Sequence, residues 1–206
     1  MSIVKLNNKA VSNATAFGSI TSLGSMVFIK KLTASSSATL SFVDGTDGVV
    51  LDDTYKEYYF TFNNIHPATD TANFQFNVSI DGGSNYNVAK TSTWFTAYHS
   101  ESGAGGALAY DSANDLAQGT GDQILMTYIG NGNDESYAGH LSFFNPSSTT
   151  FVKHFISTGV DYGANDYANN PFCAGYCNTT SAVNAIRFQM SSGNIDAGDI
   201  CLYGIA

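Results

Sequence analysis

The chain has 206 residues, 43% of them hydrophobic and only 12% charged, with a formal net charge of −9. That length buries one substantial core and fits a single domain, while the acidic balance argues against a nucleic-acid groove, which needs clustered Lys and Arg to neutralise phosphates. No run approaches the ~18 apolar residues of a membrane helix, and "MSIVKLNNKAVSNATAFGSI" lacks the continuous apolar core of a secretory leader, so neither membrane insertion nor secretion is expected.

Residues 1–24 scatter Ile3, Val4, Leu6, Val11 and Phe17 singly among Asn, Ser and Thr. Such a segment has too few apolar residues to fold alone and too many for a plain solvated tail. Lys5 and Lys9, with Lys30 and Lys31, also give residues 1–31 four cations and no acid, against 17 acids in the remainder. This composition reads as an attachment arm built on Ile3, Val4, Lys5, Leu6, Lys9 and Phe17, suited to an acidic surface such as the body of a neighbouring copy.

From residue 25 onward, period-two alternation gives strand after strand, separated by turn residues at sandwich-like intervals. "SMVFIKKL" and "ATLSFV" come first. The loop "VDGTDGVVLDD" offers Asp44, Asp47, Asp52 and Asp53 as oxygen ligands, but its spacing does not fit an EF-hand, and it reads as a solvated turn. "KEYYFTFNNI" follows, then "NFQFNVSI", whose Phe74, Phe76, Val78 and Ile80 alternate against Gln75, Asn77 and Ser79. After "TSTWFTAYH", the Gly-rich "SGAGG" opens "GALAYDSANDLAQ" (106–118), where a turn or two of helix is predicted outside the sheet.

"QILMTYI" is the next strand. "GNGNDE" (130–135) has Glu135 in place of the third glycine of a dinucleotide loop and no helix behind it, so it reads as a hairpin turn. "GHLSFF" and "FVKHFIS" then lead into "VDYGANDYANNPF" (160–172), predicted as a loop. It offers Asp161, Tyr162, Asn165, Asp166, Tyr167, Asn169 and Asn170. Aromatic rings for stacking beside amides and carboxylates for hydroxyls is the mixture of a sugar site, and equally of a generic protein contact. In "FCAGYC", Cys173 and Cys177 share one face with sulfurs too far apart to bond, and they read as small buried hydrophobes; a bridge to Cys201 requires the two strands to pair. The tripeptides at Asn77 and Asn178 would accept glycans only on a secretory route. "AIRFQM" and "SSGNIDAGDICLYGIA" close the chain, the latter as a core strand bearing Ile200 and Leu202, with Gly193 and Gly198 in turns.

About eleven strands with almost no helix predict an all-β, antiparallel two-sheet sandwich of jelly-roll type over residues 25–206, preceded by the arm. Catalytic spacing is missing. No GxSxG or HExxH occurs, and His66, His99, His140 and His154 stand singly. The carboxylate pairs Asp161 with Asp166 and Asp134 with Glu135 lie in turn-like stretches, where acids ordinarily sit in water. No metal or cofactor is expected.

Three stretches, "SIVKLNNKAVSNATAFGSI", "GHLSFFNPSSTTFVKHF" and "SSGNIDAGDICLYGI", resemble virion structural proteins of marine tailed bacteriophages infecting cyanobacteria and other open-ocean bacteria. The resemblance implies a β-sandwich displayed on a virion, other virion proteins as partners, and the arm as attachment segment; it brings no catalytic residues. Two uses follow. A tail fibre or receptor-binding protein would form a homo-oligomer, commonly a trimer, and bind host-surface glycans, whereas a capsid decoration protein would dock its arm on the shell. A polysaccharide-degrading virion enzyme is a third class, requiring paired carboxylates in a groove.

Overall fold

A computed structural model describes residues 25–206. The arm residues Ile3, Val4, Lys5, Leu6, Lys9 and Phe17 lie outside the described residues. The remainder is all-β and antiparallel. Its strands are β1 (Met26–Thr33), β2 (Leu40–Val43), β3 (Glu57–Pro67), β4 (Ala72–Ser79), β5 (Lys90–Ser100), β6 (Gly106–Tyr110), β7 (Ala117–Gly119), β8 (Gln123–Ile129), β9 (Ser136–Phe144), β10 (Lys153–Gly163), β11 (Tyr167–Cys177), β12 (Ala185–Met190) and β13 (Ile195–Ile205).

These strands form one hydrogen-bonded network that is nearly closed. One broad run goes β1-β13-β3-β9-β10 and continues through β11 and β5, with β6 and β7 on the outer edge of β5. A second run, β8-β4-β12-β2, joins the first where Gly163 of β10 pairs with Ile129 of β8. The second run lies over the first because alternate residues of both are aromatic and bury together. Phe74, Phe76 and Phe188 meet Phe60, Phe62, Tyr137 and Phe155 at ring separations of 5.1 to 5.7 Å. Each such pair contributes ~0.5–1.5 kcal/mol beyond area burial.

The last strand is core. β13 is hydrogen-bonded on both sides, to β1 and β3, and Ile200 and Leu202 are fully buried. Gly198 sits within this strand rather than in a turn. Its φ of +118° accompanies a register shift against β3, and a β-carbon there would lie 2.5 Å from the carbonyl of Asn64. This is a bulge that only glycine fits.

Three expectations are corrected. Residues 106–118 hold no helix; they supply β6 and β7, which pair along β5, and β6 is exposed at all five positions. Backbone pairing to an edge, not burial, makes it a strand, so it carries no alternation to read. Residues 160–172 are not a loop either, because β10 and β11 run through them and leave only 164–166 as the turn. Just past β4, Ile80 is exposed, while Asn77 and Ser79 of β4 are buried, Asn77 against Lys90 of β5 and Ser79 under the following turn, donating to Asp81 and accepting from the Gly83 N–H. Cys173, Cys177 and Cys201 are free thiols, and β11 and β13 are not neighbours in the sheet.

Replacing Leu202 with Ala should destabilise the fold by ~2–5 kcal/mol, the range for emptying a fully packed site, out of a typical total of ~5–15 kcal/mol. Urea denaturation measures it. A midpoint equal to that of the native chain would place the last strand outside the core.

Candidate functional site

The β10–β11 hairpin sorts its polar residues by strand alternation. Asp161 pairs in register with Asn169, and Asn169 with Tyr98 of β5, so these three share the inner face. Tyr162 and Asn170 point to the other face. There Tyr162 donates to Asp166 Oδ1 (3.0 Å), which lifts the Tyr162 phenol to about 12, and Asn170 Nδ2 donates to the Gly159 carbonyl. The acids Asp161 and Asp166 therefore do not converge on a common groove. Of the residues singled out from sequence, Asn165, Tyr167 and Asn169 line one recess, Asp161 accepts from Asn169 behind it and lines another hollow with Tyr162, and Asp166 and Asn170 line neither.

Tyr98 and Asn169 line a cleft of about 250 Å³ with Trp94 and Thr96 of β5, Thr127 and Tyr128 of β8, Tyr167 of β11, and Asp111, whereas Asp161 lines a separate hollow of about 360 Å³ with Tyr162, His99, Ser100, Glu101 and Ala168. A smaller recess of about 70 Å³ over Gly163, Ala164 and Asn165 shares Tyr128, Tyr167 and Asn169 with the cleft. Tyr98 and Tyr167 meet edge to face, with centroids 5.8 Å apart. The Trp94 indole is buried, and its Nε1–H has no acceptor among the described residues.

A bulge in β8 supplies the opposite wall. Ile129 pairs with Ala72 and Met126 with Phe74, which leaves both Thr127 and Tyr128 opposite Asn73. Tyr128 takes φ +56°, an uncommon conformation for a bulky side chain, and its N–H is held by Asn73 Oδ1 at 3.1 Å. Bulges re-aim side chains beside functional sites, and strained backbone concentrates there. Here the bulge turns the Tyr128 ring, largely exposed, over the cleft.

Behind Asn169 and Gly163 the interior is polar and incompletely paired. Asp161 is 3% exposed; its Oδ1 accepts from Asn169 Nδ2 at 2.8 Å, and its Oδ2 has no partner among the described residues. The space over Gly163 that a β-carbon would fill is ringed by Asn169 Nδ2 at 2.8 Å, Asp161 Oδ2 at 3.2 Å and Tyr128 O at 3.4 Å. Glycine thus opens a cradle onto the unpaired oxygen. Burial raises the Asp161 carboxyl to about 7, opposed by the Asn169 hydrogen bond and aided by the charge of Glu135. Its register neighbour Tyr137 is fully buried, its ring lying across Gly139 and Gly159, where a β-carbon would come within 2.4 Å and 2.7 Å of its hydroxyl. That hydroxyl has no partner among the described residues, and the nearby Ser157 hydroxyl donates to the His140 carbonyl. A buried carboxyl with an unused oxygen is incomplete without a donor, and this one lies beside Gly163 at the edge of the smaller recess.

Sequence reasoning missed Trp94, Thr96, Tyr98, Thr127 and Tyr128. Alternation in "TSTWFTAYH" does put the first three on one face, which was a usable signal; nothing in "QILMTYI" announces the bulge. Comparison of the chain with protein-family models, with curated proteins and with solved structures gives no match.

The Asp161 carboxyl sets a pH dependence. Its folded-state pKa lies above the ordinary 3.8, so the folded chain holds this proton more tightly than the unfolded one. That contribution is complete below pH 3.8 and is lost as pH rises to about 7, after which it stays lost. Within this window each pH unit removes up to about 1.4 kcal/mol. Asp161→Asn should abolish the loss, matching the native chain near the acid end and exceeding it in stability at pH 8. Parallel pH slopes for the two proteins would contradict the assignment.

Proposed function

We propose that the chain is a virion protein that adheres to host-surface glycans, with the β5–β8–β11 cleft as its sugar site. The carrying observation is a buried carboxylate oxygen without a donor among the described residues, set beside Gly163 of the recess that shares Tyr128 and Tyr167 with the cleft. A sugar ring presents an apolar C–H face to aromatic rings and hydroxyls at its rim. Asp161 Oδ2 would accept one hydroxyl, Trp94 Nε1–H would donate to another, and Asn169 would read a third. Small sites of this kind join apolar walls to a few convergent polar groups. A chain of net charge −9 repels polyanions, so neutral and amino sugars fit better than sulfated or uronic polymers.

The virion setting comes from the three family-like stretches, and with it the partners: other virion proteins reached through residues 1–24, and further copies of the chain. The outer face of β10, β11 and β5 suits self-association. It exposes Ile156, Val160, Phe95 and Phe172, the last two stacked at 5.3 Å. Tail-fibre adhesion is favoured over capsid decoration by the cleft, which decoration would not need.

Binding to host-surface polysaccharide, measured by calorimetry, tests the reading. Tyr167→Ala and Tyr98→Ala should each weaken binding about tenfold, equivalent to about 1.4 kcal/mol, and Gly163→Ala should do so by plugging the cradle. A chain lacking residues 1–24 should bind sugar normally yet fail to enter particles. Undiminished binding by all three cleft variants would remove the site from the account.

A further inference from the structure

Two lysines are wholly buried, and β11 sets Cys177 between them in register, Lys153 on one side and Lys90 on the other. Their surroundings differ. Lys153 Nζ donates to the carbonyls of Ser148, Phe151 and Thr179, at 2.5, 3.1 and 3.1 Å, which accounts for all three ammonium protons. Lys90 Nζ donates to the Val88 carbonyl at 2.9 Å and to Asn77 Oδ1 at 2.6 Å, and it forms no salt bridge among the described residues. Burial lowers its pKa to about 8, partly offset by Cys177 and Asp122 and reinforced by Arg187. Near neutral pH it therefore supplies free amine readily.

The acceptor is an amide set for attack. Asn77 is 1% exposed. Its Oδ1 also accepts the backbone N–H of Val78 at 2.9 Å, and its Nδ2 is fixed by the Thr120 carbonyl at 3.1 Å. The N–H on Oδ1 polarises the side-chain carbonyl and is placed to stabilise an oxyanion there. A desolvated amine held against an oriented electrophile gains from proximity what the same pair lacks in water.

We propose that Lys90 and Asn77 join in an intramolecular isopeptide bond. The lone pair of neutral Nζ attacks Asn77 Cγ, and negative charge collects on Oδ1 beside Val78 N–H. Collapse re-forms the carbonyl and breaks Cγ–Nδ2. Nδ2 departs as ammonia, carrying the proton that Nζ gives up. One C–N bond replaces another, so no oxidant or reductant is needed, and burial excludes the water that would otherwise hydrolyse the amide. The link ties β4 to β5, which share no backbone pairing and belong to the two overlying runs of the sheet. A protein loaded mechanically at a surface gains from such a clamp, although the bond itself does not depend on the sugar-binding reading.

Intact-mass spectrometry of the purified full-length chain decides the matter. The expected mass is below the sequence mass, corrected for removal of Met1, by one ammonia, and a peptide map should contain a branched peptide joining Lys90 to Asn77. Lys90→Gln and Asn77→Ala should each restore the full mass. A native chain at sequence mass, with Lys90 open to amine labelling after denaturation, would overturn the proposal. So would an ammonia loss mapped elsewhere, such as a succinimide at Asn131–Gly132.

Discussion

The packing of Phe188 holds the two runs of the sheet together. This ring on β12 lies against Phe42, Phe60, Phe62, Phe74 and Phe76, with centroids between 5.2 and 6.4 Å away. Three of these partners sit in the same run as Phe188, and Phe60 and Phe62 belong to the other. With every one of them fully buried, the contact fixes how far apart the two runs lie. Their direct hydrogen-bonded junction is the Gly163–Ile129 pair, so side-chain packing carries most of the closure.

The cleft follows from that closure. At the Phe188 end, rings fill the interior; toward the β10–β11 turn, β10 presents Gly159, Asp161 and Gly163, and the fill runs out. Tyr137 covers the first of these glycines. Gly163 is buried among Asn169 Nδ2, Asp161 Oδ2 and the Tyr128 carbonyl, and the β8 bulge brings Tyr128 over the recess beside it. A carboxyl in this position has lost water without gaining a full set of donors, which is why its proton is held so tightly. The strain at Tyr128 and the unpaired Asp161 oxygen are therefore two local defects tolerated at one place, as expected where function and packing compete.

Much of this was legible beforehand. Alternation identified Phe74, Phe76, Phe188, Ile200 and Leu202 as core because one face of each strand meets the aromatic layer and burial follows the period. Where the cause of a strand is backbone pairing alone, as in β6, the sequence carries no such mark. Asn77 and Ser79 were misplaced because Lys90 of β5 and the turn at Asp81–Gly83 cover positions that alternation assigns to solvent. A smaller part of the cleft was visible as well: Tyr167 and Asn169 stood out by composition, while Trp94 and Tyr128 did not, since three strands distant in sequence had to meet and one of them had to bulge. Strand alternation also explains why Tyr162 and Asn170, adjacent to the right residues, face the wrong way.

The single tryptophan of the chain is Trp94, and its indole N–H, without an acceptor among the described residues, gives a direct reporter of the cleft. In a ¹H–¹⁵N spectrum, titration with host-surface polysaccharide should shift that one indole signal and protect it from exchange with solvent as a sugar hydroxyl takes the proton. Binding that leaves the Trp94 indole signal unmoved would put the sugar elsewhere on the surface, and no binding to host polysaccharide at all would contradict the adhesion account outright.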